Sequence, residues 1–487
     1  MTPTLILLLI SAYFSALILI SWITSRNSDK DSFYLGNRQS PWWVVSFGMI
    51  GATLSGVTFI SVPGMIGNLD HINGQFSYLQ VVIGYMLGYW VIATVLIPLY
   101  YKYNLTSIYG YLESRFGFWS RKTGATFFLF SRIIGASFRL YLVALVMDEF
   151  IFKAWGVPFW VTVAVAIGLI WLYTNKSGIK TIIYTDMFQT IFMLAAVFLT
   201  VFYIIRTLDL GSISKMSAAF DEVGIRQMFF WDSGERNFIK QFLSGFFLAI
   251  VMTGLDQDMM QKNLSCKNVK EAKKNIFTLS GSMLIVNTLF VVFGALLYVY
   301  AHTKNIAIPA KTDLLYPMLA INHFDIIIGV FFILGLIAAA YSSADSALTA
   351  LTTSFVIDIL DFEKKGGSIK LRKLIHFGFS FVIFSVIVVF GYWVEDSVLT
   401  QLFLISGLTY GPLLGLFLFG IMMKERPNDK IVPWICLGSA IVSFVLTRIA
   451  EQILGNKIGF EILIYNAMIT FAGLFFASYL KPKEATT

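Results

Sequence analysis

Long apolar segments fill most of the chain and alternate with short polar segments. Thirteen of them approach or exceed the roughly 20 residues that a helix needs to cross a bilayer. They lie near residues 4–24, 43–66, 76–100, 124–152, 158–175, 181–205, 238–260, 275–301, 324–358, 374–393, 398–423, 431–453 and 460–480. The pattern predicts an all-α polytopic membrane protein with about 13 transmembrane helices.

The ninth segment carries polar residues along one side. Ser342, Asp345, Ser346, Thr349 and Thr353 follow the spacing of one helical face, between alanines that allow another backbone to approach closely. The hydroxyl groups alone do not indicate a functional site, because serine and threonine also hold transmembrane helices together by hydrogen bonds. A carboxylate at membrane depth favours a functional site, and the oxygen-rich face predicts a cation site.

Glycine and proline interrupt the second segment at Gly48, Gly51, Gly56, Pro63 and Gly64. Broken helices at the centre of transporters expose backbone carbonyls that bind ions. The pattern therefore predicts a broken helix that takes part in ion binding. A packing face made of small residues remains the alternative.

The fourth segment contains two arginines, Arg132 and Arg139, seven residues apart and therefore near one helical face. Arginine facing lipid is very unfavourable, so both should point into the protein or a water-filled cavity. One interpretation is recognition of an anionic substrate by a guanidinium group. The alternative is pairing with Asp186, Glu113 or a lipid headgroup.

Other segments add candidate features. Asp186 and Gln189 share a face of the sixth segment, where Asp186 is expected to ligate a cation or to pair with an arginine. Asp256 is expected to cap or gate the end of the seventh segment. The Gly411–Pro412 pair predicts a kink or break in the eleventh, and the loop 206–237 is expected to form a short amphipathic cap.

Composition agrees with a membrane protein and excludes several other classes. Only 13% of the 487 residues are charged, against about 25% in soluble domains. The two cysteines and four histidines form no metal-binding spacing, and no nucleotide-binding, zinc-hydrolase or serine-hydrolase motif is present. The net charge of +8 is explained by basic loops rather than by nucleic acid, and residues 4–24 are expected to be a retained span.

Basic residues predict the orientation. Alternate loops, starting with the first, carry 24 of the 36 lysines and arginines, whereas the opposite loops carry nine. Positive charge concentrates in cytoplasmic loops. We therefore expect a multi-pass protein of the cell (inner) membrane with its N-terminus outside and its C-terminus in the cytoplasm.

With these features identified, the chain resembles the sodium:solute symporter family. The resemblance rests on Gly51 to Gly64, Thr106 to Gly117, Lys180 to Gln189, Gly254 to Gln261, Ala338 to Asp358 and Gly407 to Gly415. It implies a single LeuT-type transporter domain over residues 1–487. Residues 43–205 and 238–423 would form two inverted repeats, residues 4–24 an extra N-terminal span, and residues 431–480 two C-terminal spans.

The resemblance also implies sodium sites. The residues that match the main site are Gly51, Leu54, Ala339, Ser342 and Ser343. Those that match a second site found in some members are Asp186, Asp345 and Ser346. Members with the second site usually have a hydroxyl at the position of Asp345, so a second sodium ion and a proton remain alternatives there.

The substrate residues that the resemblance implies are Thr53, Ser55, Thr58, Gln80 and either Arg132 or Arg139. Sugar carriers have an asparagine and an aromatic residue where this chain has Ala249 and Met252, which disfavours a glucose-type site. The implied function is sodium-driven import of a small organic solute by alternating access, with an anion such as a sialic acid or a monocarboxylate favoured. The alternatives are a symporter of a sugar or another neutral solute, and an ion channel. Enzymatic activity is not expected, and the expected partners are sodium, the solute and the lipid bilayer.

Overall fold

The computed structural model describes residues 3–24, 35–69, 74–174, 179–232, 234, 236–362, 368–393, 398–454 and 461–479. Within these ranges the chain is helical, with a single isolated bridge between Ser40 and Cys266. The α-helices, numbered in chain order, are α1 Pro3–Thr24, α2 Trp42–Thr53, α3 Gly56–Met65, α4 Tyr78–Val91, α5 Ile97–Lys102, α6 Gly110–Arg115, α7 Phe118–Met147, α8 Phe159–Thr174, α9 Ile179–Thr207, α10 Ile213–Glu222, α11 Phe238–Ala249, α12 Gln257–Leu264, α13 Val269–Thr303, α14 Leu315–Asn322, α15 Ile326–Ser354, α16 Ile369–Trp393, α17 Val398–Met422, α18 Val432–Leu454 and α19 Ile462–Tyr479.

About half of these helices are long and apolar enough to cross a membrane. Among the described residues there are nine such spans, and two bent pairs raise the number to 11 if each pair counts as one span. The shorter apolar helices Leu7–Ile20 and Phe159–Leu172 coincide with the predicted first and fifth spans. The multi-span architecture follows directly from the hydrophobic pattern, while the total of thirteen spans stays a prediction.

Helix α15 lies at the centre of the bundle. Every residue from 335 to 354 is buried, although this segment contains the predicted polar face. Helices α7 and α9 pack along its length, and both halves of the bent pair α2–α3 also contact it. The small alanines of α15 permit this crowding, and its hydroxyl groups are therefore surrounded by protein rather than by lipid.

The N-terminal helix packs against the two helices that carry most of the predicted ion ligands. Tyr13 of α1 contacts the rings of Phe188 and Phe192 on α9, and the ring of Phe14 lies 4.6 Å from that of Tyr341 on α15. These edge-on and stacked contacts are favourable aromatic geometries. Helix α1 thus forms part of the wall around α9 and α15.

Several local predictions can be compared with the structure. The loop 206–237 contains the amphipathic helix α10, as predicted, with Ala219 and Phe220 buried. Helix α17 continues through Gly411 and Pro412, so the segment is not broken there. The basic residues Arg26, Lys30, Lys176, Lys364, Lys365, Lys457, Lys481 and Lys483, on which the orientation partly depends, lie outside the described residues.

Candidate functional site

Two bent helices meet α15 near the middle of the bundle. The axes of α2 and α3 differ by 53°, with Leu54 and Ser55 at the break. The second bent pair joins Phe238–Gly254 to Gln257–Leu264 at 63°, after a π-helical turn over Ile250–Gly254. Such breaks release the backbone from regular helical hydrogen bonding at the positions where transporters bind ions.

Gly51 allows α2 to approach α9 very closely. A Cβ atom on Gly51 would lie 1.9 Å from Thr190 Oγ1 and 3.2 Å from the carbonyl oxygen of Asp186. No larger residue fits without separation of the two helices. The glycines of the second segment therefore serve the predicted break and also the packing face that was the alternative explanation.

Two adjacent serines on α15 have different surroundings. Ser342 Oγ donates a hydrogen bond to Asp186 Oδ1 at 2.7 Å, which leaves its oxygen lone pairs available to a cation. Ser343 Oγ is fully buried and has no hydrogen-bond partner among the described residues. A buried hydroxyl without a partner is costly, and a bound cation would satisfy it. Ala339 lies one turn away and is also buried.

Asp186 forms an ion pair that the sequence did not reveal. Lys262 Nζ lies 2.7 Å from Asp186 Oδ2, and both side chains have no exposed surface. Lys262 was counted among the loop lysines in the orientation analysis, but it belongs to α12 and lies inside the bundle. The loop assignment of this residue was therefore wrong.

The other two residues predicted for a second sodium site, Asp345 and Ser346, are buried on α15. Ser346 Oγ donates to the carbonyl oxygen of Ser342 at 2.8 Å and lies 3.2 Å from Asp258 Oδ2. Asp345 is fully buried on α15, and its carboxylate contacts the backbone N–H of Ser346. The set of Asp186, Asp345 and Ser346 as ligands of one ion stays a prediction.

A cavity lies beside the break between α2 and α3. Its wall includes hydroxyl groups from the broken helix, three tyrosines of α4 and both arginines of α7. The residues that matter here are Thr53, Ser55, Thr58, Tyr78, Tyr85, Tyr89, Arg132 and Arg139. Ala249 and Met252, where the resemblance would place an asparagine and an aromatic residue in a sugar carrier, also line it, and so does Asn287. The cavity thus combines hydroxyl, phenol and guanidinium groups, which suit a polar organic molecule.

The two arginines differ in their partners. Arg132 forms ion pairs with Asp258 and, at 3.7 Å, with Asp256, so α12 neutralises its charge. Arg139 has no ion-pair partner among the described residues, and its Nε is buried without a hydrogen-bond acceptor. Neither arginine pairs with Asp186 or Glu113, the partners considered from the sequence.

Gln80 does not line the cavity, so its placement among the substrate residues needs correction. Its side chain is fully buried and forms hydrogen bonds with the backbone of the loop before α11. Gln80 Nε2 donates to the carbonyl oxygen of Arg236 at 3.0 Å, and its Oε1 accepts from the backbone N–H of Phe230 at 3.1 Å. Both ends of the amide are occupied, and the residue fastens the loop to α4.

Sequence reasoning missed two residues of this region, Asp258 and Lys262. Their separation of four residues places them on one face of a helix, a spacing typical of ion pairs. This signal was present in the sequence. It was overlooked because the basic residues that follow Lys262 suggested a loop. Asp256 caps α12 by accepting hydrogen bonds from the backbone N–H groups of Asp258 and Met259, in agreement with the predicted capping role.

A second charged cluster closes one end of the bundle. Asp358, at the end of the π-helical turn that follows α15, accepts from Arg121 Nε at 3.0 Å and from Ser107 Oγ at 2.6 Å. Arg121 also pairs with Glu113 at 2.5 Å. These contacts join α7, the α5–α7 connection and the end of α15. The side chains that form them are buried or half-buried.

Comparison with known proteins places the chain in a group of membrane transporters. The model of the sodium:solute symporter family matches residues 33–430. The sodium/sialic acid symporter SiaT of Proteus mirabilis is 27% identical over 90% of this chain and 87% of its own length. The sodium-coupled monocarboxylate transporter 1 of Homo sapiens is 25% identical over 86% of this chain and 68% of its own.

Solved structures identify the fold. A Na⁺-coupled sialic acid symporter in a substrate-bound, outward-open state superposes with a TM-score of 0.81, at 23% identity and 98% coverage of both chains. Mhp1, a nucleobase-cation-symport-1 family transporter, superposes with a TM-score of 0.56 over 92% of this chain and 95% of its own. The fold is of the LeuT type, and the chain is a transporter rather than an enzyme. By its family match it belongs to the sodium:solute symporter family.

Proposed function

We propose that the protein imports a small organic anion together with sodium by alternating access. The observation that carries the choice of an anion is Arg139, which lines the central cavity and lacks an ion-pair partner among the described residues. A buried guanidinium without a counter-charge is costly, and a carboxylate bound beside it would remove that cost. Ser55 and Thr58 line the same cavity and would donate hydrogen bonds to the anion.

The proposed sodium site joins the broken helix to α15. Its ligands would be the carbonyl oxygens of Gly51, Leu54 and Ala339 and the hydroxyl oxygens of Ser342 and Ser343. The partnerless Ser343 hydroxyl and the lone pairs left free on Ser342 support this set. Oxygen ligands of this kind suit a hard cation.

Coupling would arise because both ligands stabilise one arrangement of the same helix. The cavity is lined by Thr53 and Ser55, which flank Leu54 at the break between α2 and α3. A sodium ion that fixes this break would also fix the hydroxyl groups that bind the solute. By thermodynamic reciprocity, the solute would raise sodium affinity by the same factor.

The names of similar proteins support a solute that carries a carboxylate. Two bacterial proteins similar to this chain, from Proteus mirabilis and Aliivibrio fischeri, are sodium/sialic acid symporters, and a human relative is a monocarboxylate transporter. Both solute types carry a carboxylate. We therefore propose a carboxylate bound by Arg139, with a sialic acid or a monocarboxylate as the first compounds to test.

Orientation completes the proposal. We place the N-terminus outside and the C-terminus in the cytoplasm of the inner membrane, as the distribution of basic loops predicts. In this orientation the cluster of Arg121, Asp358 and Ser107 lies at the cytoplasmic end. It would close the inward path while the cavity accepts solute from outside.

The test is thermal unfolding of the purified protein in sodium chloride and in choline chloride, with sialic acids, monocarboxylates and neutral sugars added in turn. We expect stabilisation by sodium and further stabilisation by an anionic solute only when sodium is present. Arg139→Gln should abolish the solute effect and keep the sodium effect. Arg139→Lys, which keeps the charge but loses the guanidinium fork, should bind the solute more weakly.

Contrary results are easy to recognise. Stabilisation by a neutral sugar, or retention of the solute effect in Arg139→Gln, would show that Arg139 does not bind the solute. Solute-independent sodium flux in proteoliposomes at channel rates would contradict symport.

A further inference from the structure

A buried lysine lies where the resemblance predicts a second sodium ion. Lys262 Nζ is 2.7 Å from Asp186 Oδ2 and 3.9 Å from Asp258 Oδ1, and the side chain has no exposed surface. Its ammonium group carries the single positive charge of a sodium ion. One of its N–H groups donates to Asp186 Oδ2, an oxygen that would otherwise be available to an ion.

The residues predicted for that second ion do not fit it while Lys262 is in place. One oxygen of Asp186 accepts from Lys262 and the other from Ser342. A sodium ion at Asp186 would share one carboxylate with an ammonium group, and like charges this close in a buried site repel strongly.

We propose that Lys262 is a built-in cation that replaces the second sodium ion, so that the protein binds and couples one sodium ion only. The proposal rests on the proposed function, because it assumes the main site at Ser342 and Ser343. A series of contacts from Lys262 to Asp186 and from Asp186 to Ser342 connects the ammonium group to that site. Lys262 therefore also positions a proposed sodium ligand.

A plain structural ion pair is the competing explanation, since Lys262 joins α12 to α9. The two explanations differ in the number of sodium ions. An ion pair that only holds two helices together has no effect on that number when it is removed. A built-in cation, once removed, leaves Asp186 and its neighbours free to bind an additional ion.

The experiment counts sodium ions on the purified full-length protein, by equilibrium binding of ²²Na⁺ and by sodium titration of thermal unfolding with choline as the replacement cation. We expect one sodium per wild-type protein and a Hill slope of about 1. Lys262→Met keeps a long side chain but removes the charge, and it should bind two sodium ions with a Hill slope above 1. The matched control is Asp186→Asn combined with Lys262→Met, which removes both charges and should return the number to one.

Each outcome decides the matter. Two sodium ions on the wild-type protein, or one on a folded Lys262→Met variant, would overturn the proposal. Should Lys262→Met fail to fold, Lys262→Gln also removes the charge and should bind two sodium ions; one ion on a folded Lys262→Gln variant would overturn the proposal. Absence of any sodium binding to the wild-type protein is a different result, because it would contradict the proposed function itself.

Discussion

Removal of the hydroxyl group should affect two neighbouring serines of α15 in different ways. Ser342 Oγ donates to the buried carboxylate of Asp186 at 2.7 Å, whereas Ser343 Oγ has no hydrogen-bond partner among the described residues. Ser342→Ala therefore removes a hydrogen bond of the protein itself. Ser343→Ala removes only a proposed ligand of the ion.

The magnitudes follow from this difference. A hydrogen bond to a charged group contributes about 1.5–3 kcal/mol, so Ser342→Ala should lower the free energy of unfolding by about 2 kcal/mol in the absence of sodium. Ser343→Ala should leave it unchanged or raise it by up to about 1–3 kcal/mol, because the sodium-free protein loses a buried hydroxyl that has no partner. Loss of either ligand should raise the sodium concentration for half-maximal stabilisation by about tenfold, which corresponds to about 1.4 kcal/mol of binding free energy.

The assay is thermal unfolding of both variants in choline chloride, followed by titration with sodium chloride. Ser380→Ala is a suitable control. Ser380 is a buried serine of α16, away from the proposed sodium site on α15, and it donates to the carbonyl oxygen of His376 on the same helix. It should keep the sodium affinity of the wild type. The reasoning would be refuted if Ser343→Ala left the sodium response unchanged, or if it destabilised the sodium-free protein as much as Ser342→Ala does.

Three further substitutions test neighbouring features. Gly51→Ala should destabilise the protein by about 1–3 kcal/mol and weaken sodium binding, because its Cβ would lie 1.9 Å from Thr190 Oγ1. The assay is thermal unfolding, and the control is Gly281→Ala, whose Cβ would meet no atom within 4 Å. Gln80→Ala should speed proteolysis of the loop before α11 while solute affinity stays constant, and a loss of solute binding would return Gln80 to the substrate site. Asp345→Asn should leave sodium affinity and Hill slope unchanged, because the predicted role of Asp345 is in the second site, whose ion Lys262 replaces in the proposal above; a loss of sodium affinity would make Asp345 a ligand.

Periodicity and backbone composition were enough to predict the main elements of the site. The glycines of the second segment predicted a broken helix, which the structure breaks at Leu54 and Ser55, and the polar face of the ninth segment lies on a stretch of α15 that is buried throughout. Both signals are local, because helix interruption and amphipathic spacing depend on residues that are close in the chain.

Pairing between distant helices could not be predicted in the same way. Whether Arg132 or Arg139 lacks a counter-charge depends on α12, more than a hundred residues further along the chain. Lys262 shows the same limitation, since counting loop charges assumes that a lysine next to other lysines is solvated. Gln80 matched the family pattern, yet its amide is used by a loop whose path depends on the folded structure.

The aromatic contacts of α1 have a consequence for biogenesis. Phe14 is synthesised more than 300 residues before Tyr341, the ring it contacts, and at about 5–20 residues per second this interval lasts roughly 15–65 seconds. Lipid tails can cover the aromatic face of α1 during this time at little cost, because they are as apolar as the helix surface. Helix α1 therefore completes its contacts only after α15 has been synthesised, long after its own synthesis.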